Sequence, residues 1–207
     1  MPESRPTASS LLVPPSVIRV ATGNRHKVEE LQAILTGWPL AVLTGADPYP
    51  PEDEPDYAGN ARTKARHGRA QAEAGAWVIA EDSGIEVDGL GGQPGVHSAR
   101  FGGDDPVGRL LAALAGVEGE GRRGRYVCEL VCLLPDGSEL RGTGLLSGRV
   151  AHEARGSEGF GYDPVFVPFG ETRTVAELGH AWKATRSHRA RGAQALLAAA
   201  RSAGLVP

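Results

Sequence analysis

The chain has 207 residues, a length that suits one large domain or two lobes around a single cleft. It is 41% hydrophobic and 23% charged, proportions that are typical of a globular protein. The net charge of −3 excludes a basic field that could hold a nucleic-acid duplex, and no apolar run approaches the roughly 20 residues of a membrane-spanning helix. We therefore expect neither a nucleic-acid partner nor a membrane partner.

The N-terminal segment differs in composition from the rest of the chain. Residues 1–16 contain four prolines and several serines, which predicts a disordered tail ahead of a single domain over residues 17–207. The apolar run Leu11–Val13 is too short for the core of a signal peptide. Cys128 and Cys132 fall on one face of a predicted strand and suggest buried, reduced thiols without a metal. A cytoplasmic protein is expected.

A strand, a tight turn and a helix are predicted at the start of the folded part. The strand covers residues 17–21, and apolar residues at helical spacing run from residue 28 to residue 35. The turn between them consists of Thr22, Gly23 and Asn24. This arrangement offers backbone N–H groups to a phosphate. Lys27 lies in the first helical turn, where a cation opposes the helix dipole, so it is either a surface lysine or the partner of an anion.

An acidic loop and a second helix follow. Residues 39–56 are rich in proline and acids, and most of these acids are expected to be solvated. Residues 58–74 predict a helix in which Asn60 and Lys64, four positions apart, share one face. The small residues beside them allow close packing while Lys64 extends beyond that packed surface.

The central stretch begins with a buried strand, Trp77–Ala80, at whose end Glu81 and Asp82 emerge, followed by Ser83. Acids at the end of such a strand lie at the rim of the sheet, where α/β proteins place their ligands. Two buried like charges side by side need a cation or a proton, and a divalent metal satisfies this need. A helix cap is the alternative, but the glycines that follow form a poor helix.

The second half of the chain predicts a helix and then a hairpin. Asp105 and Pro106 are suited to the N-cap and first position of a helix. Residues 122–125 are expected to form a basic surface loop, and residues 125–134 and 139–150 are predicted to pair as strands across a Pro-Asp-Gly-Ser turn. The alternation of strands and helices predicts an α/β fold.

An aromatic, glycine-rich stretch and a final helix complete the chain. In residues 156–169 the glycines on both sides of Phe160 leave its ring accessible, although a core aromatic cluster is the alternative. Ser187 is a good N-cap for the last helix, so His188 and Arg189 lie at a helix N-terminus, where cations need an anion or an acceptor nearby. Lys183 is expected to lie near them.

Four ordered motifs carry a family resemblance. The long one is EDSGIEVDGLGGQPGVHSARFGG at residues 81–103, and the others are ATGNRHK at 21–27, NARTKA at 60–65, and GFGYDPVF at 159–166 with SHR at 187–189. Together they resemble the inosine triphosphate pyrophosphatase family of Ham1-like nucleotidases. The chain departs from the family pattern at Glu81, where Asp is usual, and at Gly59, where Glu is common.

The resemblance implies a long, twisted mixed sheet with flanking helices, forming two lobes around a central active-site cleft. It implies hydrolysis of inosine, deoxyinosine and xanthosine triphosphates to the monophosphate and pyrophosphate, with Mg²⁺ and as a homodimer. Asp82 is the expected general base, and the expected metal ligands are Glu52, Asp82 and Glu81, with Asp53 and Glu54 as alternatives to Glu52. The expected substrate contacts are Thr22, Gly23, Asn24, Lys27, Asn60, Lys64, Ser83, Phe160, Gly161, Tyr162, Asp163, Lys183, His188 and Arg189.

Three alternatives remain. A Maf-like pyrophosphatase for modified pyrimidine nucleotides would share the fold and the metal chemistry, but the FGYD and SHR segments argue against it. A non-catalytic nucleotide-binding regulator would not need Asp82. A purely structural or interaction protein would leave the cations at the helix starts unexplained.

Overall fold

The computed structural model describes residues 17–206, so the predicted disordered tail lies outside the described residues. The strands are β1 (Ile18–Val20), β2 (Leu40–Val42), β3 (Trp77–Val87), β4 (Arg123–Leu133), β5 (Glu139–Val150) and β6 (Phe166–Pro168). The helices are α1 (Arg25–Ile34), α2 (Tyr57–Arg69), α3 (Pro106–Ala113), α4 (Val175–Arg186) and α5 (His188–Ser202). Short 3-10 turns lie at Asp88–Leu90, Gly95–His97, Gly119–Arg122 and Asp163–Val165.

The strands form one mixed sheet of six, in the order β2-β1-β3-β4-β5-β6. Both neighbours of β1 run parallel to it, and the pairs β3–β4, β4–β5 and β5–β6 are antiparallel. The prediction of an α/β fold with a mixed sheet and flanking helices is therefore confirmed.

Side-chain caps fix where the helices begin. Asp105 accepts a hydrogen bond from the Gly108 N–H at the start of α3, and Ser187 does the same for Ala190 at the start of α5, as predicted. The second helix is shorter than the predicted span 58–74 and ends at Arg69. The chain turns there because the Arg69 guanidinium donates to the carbonyl oxygens of residues 72, 73 and 76.

Strand β3 extends well past the predicted end at Ala80. Its antiparallel partner β4 pairs with it from Val78 to Val87, whereas the parallel strand β1 reaches only as far as Ile79. Glu81 and Asp82 therefore lie within the strand, and the expectation that they mark its end is wrong. They do lie where the parallel part of the sheet stops, because beyond Ile79 the β1 side of β3 has no partner strand in the described chain.

The two halves of the long strands pack into different hydrophobic cores. The end of the sheet formed by the first halves of β3 and β5 and the second half of β4 is covered on one face by α1 and α5 and on the other by α2. The second halves of β3 and β5 form another core with the first half of β4, which runs antiparallel to both, and with α3 and the start of α4. The acids of β3 thus lie between core regions, while the single two-lobed unit over residues 17–207 stays a prediction.

Two expectations about individual side chains have opposite outcomes. Cys128 and Cys132 are buried and free, as predicted. Arg122 is not part of a surface loop, since it is only 6% exposed and donates to the carbonyl oxygens of Leu114, Val117, Val150 and Ala151. These four acceptors satisfy a guanidinium that the basic sequence around it had suggested was solvated.

Among residues 17–206 no helix combines the length and apolarity needed to span a bilayer.

Candidate active site

The carboxyl groups of Glu81 and Asp82 point to opposite faces of the sheet, because successive side chains alternate along a strand. Glu81 faces α1 and α5, where it meets Lys27 and Arg189. Asp82 faces α2, where it meets Lys64. The site is therefore divided by β3 into a Glu81 side and an Asp82 side.

On the Asp82 side, one ammonium group draws two carboxylates together. Lys64 Nζ lies 2.6 Å from Glu52 Oε1 and 3.1 Å from Asp82 Oδ1, and the Lys64 side chain is only 7% exposed. Asn60 Nδ2 donates to Asp82 Oδ2 over 3.2 Å, while Asn60 Oδ1 accepts from the Glu54 N–H. Both ends of the Asn60 amide are thus committed to holding Asp82 and the acidic loop.

The three candidate acids of the loop lie in different places. Of the three, Glu52 forms an ion pair with Lys64, the partner of Asp82, whereas Asp53 is exposed and Glu54 accepts from the Thr63 hydroxyl. The Glu54 side chain crosses over Gly59, where an added Cβ would lie 2.7 Å from Glu54 Cβ. The departure at Gly59 therefore makes room for Glu54.

Two carboxylates on the Asp82 side could serve as ligands of a magnesium ion. Magnesium is usually held by one or two carboxylates together with waters and substrate phosphates. Glu52 and Asp82 converge on one cationic group, Lys64 Nζ, so their oxygens can converge equally on a metal ion. Among the described residues no group of three or more acids, histidines or cysteines is arranged to hold a metal ion, and Glu81 is not brought together with Glu52 and Asp82 in such a group.

The ionisation of the two β3 acids is shifted in opposite directions. Burial raises the pKa of Asp82 above its ordinary value, and the attraction of Lys64 opposes this without cancelling it. Burial also acts to raise the pKa of Glu81, but Arg189 and Lys27 outweigh it and hold that pKa well below its ordinary value. Asp82 is therefore the more basic carboxylate of the two.

On the Glu81 side, the carboxylate is enclosed by donors. Lys27 Nζ lies 2.6 Å from Glu81 Oε1, and Arg189 Nε donates to Glu81 Oε2 over 2.7 Å. Arg189 Nη2 also donates to Ser83 Oγ over 3.2 Å. The exposed fraction of the side chain is 0% for Glu81 and 1% for Arg189, so the pair is fully removed from water. Arg189, the cation predicted at the start of α5, is therefore paired with an anion, Glu81.

A further acid, Glu30, completes the Glu81 side and was missed by the sequence analysis. Its two carboxylate oxygens form ion pairs with Lys183 and with Arg189. Glu30 is three residues after Lys27 and so shares a helix face with it, a spacing that could have identified it. The two sides also influence each other, because the charge of Lys27 acts on Glu52 and Asp82 as well as on Glu81.

A cavity of about 210 Å³ opens on the Glu81 side. Ten of the predicted substrate contacts line it, namely Asn24, Lys27, Ser83, Phe160, Gly161, Tyr162, Asp163, Lys183, His188 and Arg189. Thr22 and Gly23 line a neighbouring groove between α1 and β2 instead, and Asn60 and Lys64 are on the Asp82 side. The missed residues Ser98 and Tyr126 also line the cavity.

Asp163 holds the aromatic loop in place. Its Oδ2 accepts from the Phe160 N–H over 3.0 Å and from Lys183 Nζ over 2.5 Å, and its Oδ1 accepts from the Tyr126 hydroxyl. Gly159 has a φ of +82°, and an added Cβ would lie 2.2 Å from Asp163 Oδ2, so glycine is required at this position. Burial raises the pKa of Asp163, against the opposing effect of Lys183.

His188 provides a neutral, polar wall to the cavity. Its ring stacks on Tyr126 with the centroids 4.5 Å apart, and it is only 6% exposed. Burial, followed by repulsion from Arg189, holds its pKa well below the ordinary value. Its buried Nδ1 has no hydrogen-bond partner in the structure, so a neutral imidazole with a free polar atom faces this region.

The use of lysine is a further sequence signal for the site. The chain has nineteen arginines but only three lysines, Lys27, Lys64 and Lys183. All three lie in the charge network of the two sides. A chain that otherwise uses arginine for its cations keeps compact ammonium groups at this one place.

Comparison with known proteins identifies similar chains along almost the whole length. The model of the Ham1 family matches residues 18–199. A dITP/XTP pyrophosphatase from Opitutus terrae is 42% identical over 189 residues, covering 84% of this chain and 93% of that protein. A dITP/XTP pyrophosphatase from Symbiobacterium thermophilum is 46% identical over 178 residues, covering 83% of this chain and 88% of that protein.

Solved structures are similar in fold as well. A HAM1 protein from Coxiella burnetii superposes with a TM-score of 0.78 at 28% identity, covering 90% of this chain and 98% of that one. A nucleoside-triphosphatase described as a dITP/XTP pyrophosphatase from Mycobacterium abscessus gives a TM-score of 0.69 at 39% identity, with coverages of 87% and 98%.

Proposed function

From the membership of this chain in the Ham1 family, we infer that it is a nucleoside triphosphate pyrophosphatase. It hydrolyses non-canonical purine nucleoside triphosphates, the substrates named for its curated relatives, to the monophosphate and pyrophosphate. The observation that carries this function is the pair of carboxylates, Glu52 and Asp82, converging on Lys64 on one face of β3, with a cavity lined by cations and an aromatic ring on the other face. The match of the Ham1 family model to residues 18–199 confirms the family resemblance of the sequence.

The proposal includes Mg²⁺ bound by Glu52 and Asp82. A bound magnesium ion would neutralise phosphate charge and make the phosphorus more open to attack by water. In the structure Lys64 lies between the two carboxylates. When Mg²⁺ binds these carboxylates, the Lys64 ammonium group would shift toward the phosphates of the substrate. Glu81, also predicted as a ligand, has both oxygens bonded to donors, and we propose that it positions Lys27 and Arg189 instead.

Asp82 is the proposed acceptor of the proton from the attacking water. In the protein without a bound metal ion, its raised pKa marks Asp82 as the more basic of the two β3 carboxylates. Asn60 fixes the orientation of the carboxylate by donating to Oδ2. Lys27 and Lys64 would hold the triphosphate from the two sides of β3, where phosphate transfer depends on positioning and on neutralised charge.

The cavity on the Glu81 side is the proposed seat of the purine. Hypoxanthine and xanthine present an acceptor at O6 and a donor at N1, whereas adenine reverses both. The donors Lys183 and Arg189 face the cavity, and a site built on such donors rejects the reversed pattern strongly. Phe160 would stack on the base, since aromatic stacking on a base contributes about 1–3 kcal/mol.

The remaining parts of the proposal concern the whole protein. We propose a homodimer in the cytoplasm, and the free, buried state of Cys128 and Cys132 supports a reducing compartment. We also propose that residues 17–207 form one unit with two lobes, which the separate cores at the two ends of the long strands support.

The test is pyrophosphate release from a panel of triphosphates with and without Mg²⁺. We expect rapid release from inosine, deoxyinosine and xanthosine triphosphates, slower release from guanosine triphosphate, and little from adenosine triphosphate. Modified pyrimidine triphosphates in the same panel test the Maf-like alternative. Turnover of the pyrimidines above the 6-oxo purines, or equal rates with and without the metal, would contradict the proposal.

A further inference from the structure

The ring of His26 lies parallel to the ring of Phe160. Their centroids are 5.3 Å apart and the angle between the ring planes is 16°, the geometry of an offset stack. His26 is the second residue of α1, while Phe160 belongs to the loop between β5 and the 3-10 turn at Asp163–Val165. The contact joins two segments that are distant in sequence. The His26 side chain is 63% exposed, so burial in a core does not explain its position.

Phe160 separates two cavities, and His26 lies on one side only. The proposed purine seat is lined by Phe160 and Arg189 but not by His26. A second cavity, also of about 210 Å³, is lined by Phe160, His26 and Glu30 but not by Arg189. Lys183 lines both cavities, and its Nζ lies 4.8 Å from the Phe160 centroid, while the Arg189 guanidinium carbon lies 5.7 Å from that centroid. The stacking geometry and the two linings thus place His26 over one face of Phe160, on the side of the second cavity.

The loop itself gives Phe160 little lateral support. Its neighbours Gly159 and Gly161 have no side chains, and their φ values of +82° and +60° place the backbone in a region that suits glycine. The Phe160 N–H is fixed by Asp163, and the ring itself has contacts with Lys183, Arg189 and His26. Of these neighbours His26 is the flat one, so its ring can limit rotation of the Phe160 ring about its side-chain torsions.

We propose that His26 is a positioning residue for substrate binding: it backs the ring of Phe160 so that a purine can stack on the opposite face. The base, Phe160 and His26 then form three parallel layers. This inference rests on the proposed function, because it requires that Phe160 receive the base. His26 touches no reacting atom, so its effect falls on substrate affinity and leaves the chemical step alone.

The experiment measures binding of the α,β-methylene analogue of inosine triphosphate with Mg²⁺ by calorimetry, together with kcat on inosine triphosphate. His26→Ala is expected to raise Kd about two- to tenfold, the range for one aromatic pair, with kcat within twofold of the parent. His26→Phe, which keeps a flat ring, is expected to restore Kd. Arg25→Ala, the adjacent exposed side chain on α1, is the matched control and should leave Kd unchanged.

A double-mutant cycle isolates the contact with Phe160. If His26 acts through that ring, His26→Ala has no further effect on Kd in a Phe160→Ala background. An equal loss in both backgrounds would overturn the inference. So would an unchanged Kd, or tighter binding in His26→Ala, which would mean that the imidazole occupies the purine seat itself.

Binding by the parent protein distinguishes a wrong function from a wrong role for His26. If the parent protein binds no purine triphosphate analogue, the proposed function is at fault. If the parent binds it and His26→Ala binds it equally well, only the role of His26 is overturned. Because stacking does not depend on the hydrogen-bonding edge of the base, the ratio of Kd values for inosine and guanosine analogues is expected to stay the same in His26→Ala.

Discussion

Glu81 and Asp82 are neighbours in the chain, carry the same charge and are both buried, yet their carboxyl groups have opposite pKa shifts. Glu81 accepts from two cations, Lys27 and Arg189, and its pKa is held well below the ordinary value. Asp82 shares the single cation Lys64 with Glu52, and burial leaves its pKa raised. The two pKa values shift in opposite directions because the carboxylates contact different numbers of cations, not because one is buried and the other is not.

This difference indicates different tasks for the two acids. A carboxylate that is fully ionised and surrounded by donors is a rigid counter-ion, well suited to holding Lys27 and Arg189 in place. A carboxylate with a raised pKa and one shared cation can accept a proton and can exchange its partner for a metal ion. Environments that push two pKa values apart often mark such a division of roles at active sites.

The largest expected effect is the loss of activity in Asp82→Asn. The substitution keeps the shape but removes the base and one proposed metal ligand, so we expect kcat to fall by at least about 10²–10⁴-fold. The fall in kcat is measured as the rate of pyrophosphate release from inosine triphosphate in a stopped assay. Asp53→Asn removes a nearby exposed acid of the same size and should retain the parent rate. Near-normal turnover in folded Asp82→Asn would remove Asp82 from the chemistry.

The second effect concerns stability. Here we expect the larger loss from the substitution of Glu81 and the smaller loss from that of Asp82. Glu81→Gln leaves Lys27 and Arg189 short of a buried counter-charge, and we expect it to lower the free energy of unfolding by about 3 kcal/mol at pH 7. Asp82→Asn removes a carboxylate whose charged form is disfavoured by folding, so its loss should be smaller. Urea denaturation of both variants gives the comparison.

The pH dependence of stability provides a control for that interpretation. Because the folded pKa of Glu81 is lowered, its contribution is present above the unfolded value of about 4.5 and is lost as pH falls through the folded pKa. Glu81→Gln should therefore differ from the parent at neutral pH and approach it in acid. A constant difference at all pH values would mean that shape, not charge, is responsible.

The third expectation tests whether a triphosphate spans both sides of β3. With only three lysines in the chain, acetylation followed by mass spectrometry can monitor each one. At ten times Kd of the methylene analogue, about a tenth of the sites remain free, so modification of Lys27 and Lys64 should slow about tenfold. The α-amino group serves as the internal reference. Protection of Lys27 alone would confine the phosphates to the Glu81 side.

The smallest expected effect comes from His188. Since its folded pKa lies well below the ordinary 6.5, the unfolded chain binds a proton that the folded protein does not, and stability falls as pH drops below 6.5. Between pH 7.5 and 5.5 the parent should lose about 1 kcal/mol more than His188→Phe, which keeps a ring against Tyr126. Both proteins retain the other five histidines, so an equal loss in the two would contradict a neutral His188.

Much of the local structure was determined by the sequence alone. The caps at Asp105 and Ser187, the hairpin of β4 and β5 and the buried thiols depend on nearby residues and on periodicity, and all were predicted correctly. Four motifs in order were also enough for the family. Their spacing reflects backbone requirements that few other sequences satisfy.

Only the tertiary structure decided how the charged residues pair. The sequence suggested that Glu81 and Asp82 share a metal at a strand end, but β4 extends the strand and its alternation sends the two acids to opposite faces. Glu30 joins the site from α1 and Glu52 is chosen over Asp53 and Glu54 because of where folding brings each carboxylate. Ion pairs between residues as far apart as Glu81 and Arg189 depend on distances in space, which neither composition nor spacing along the chain contains.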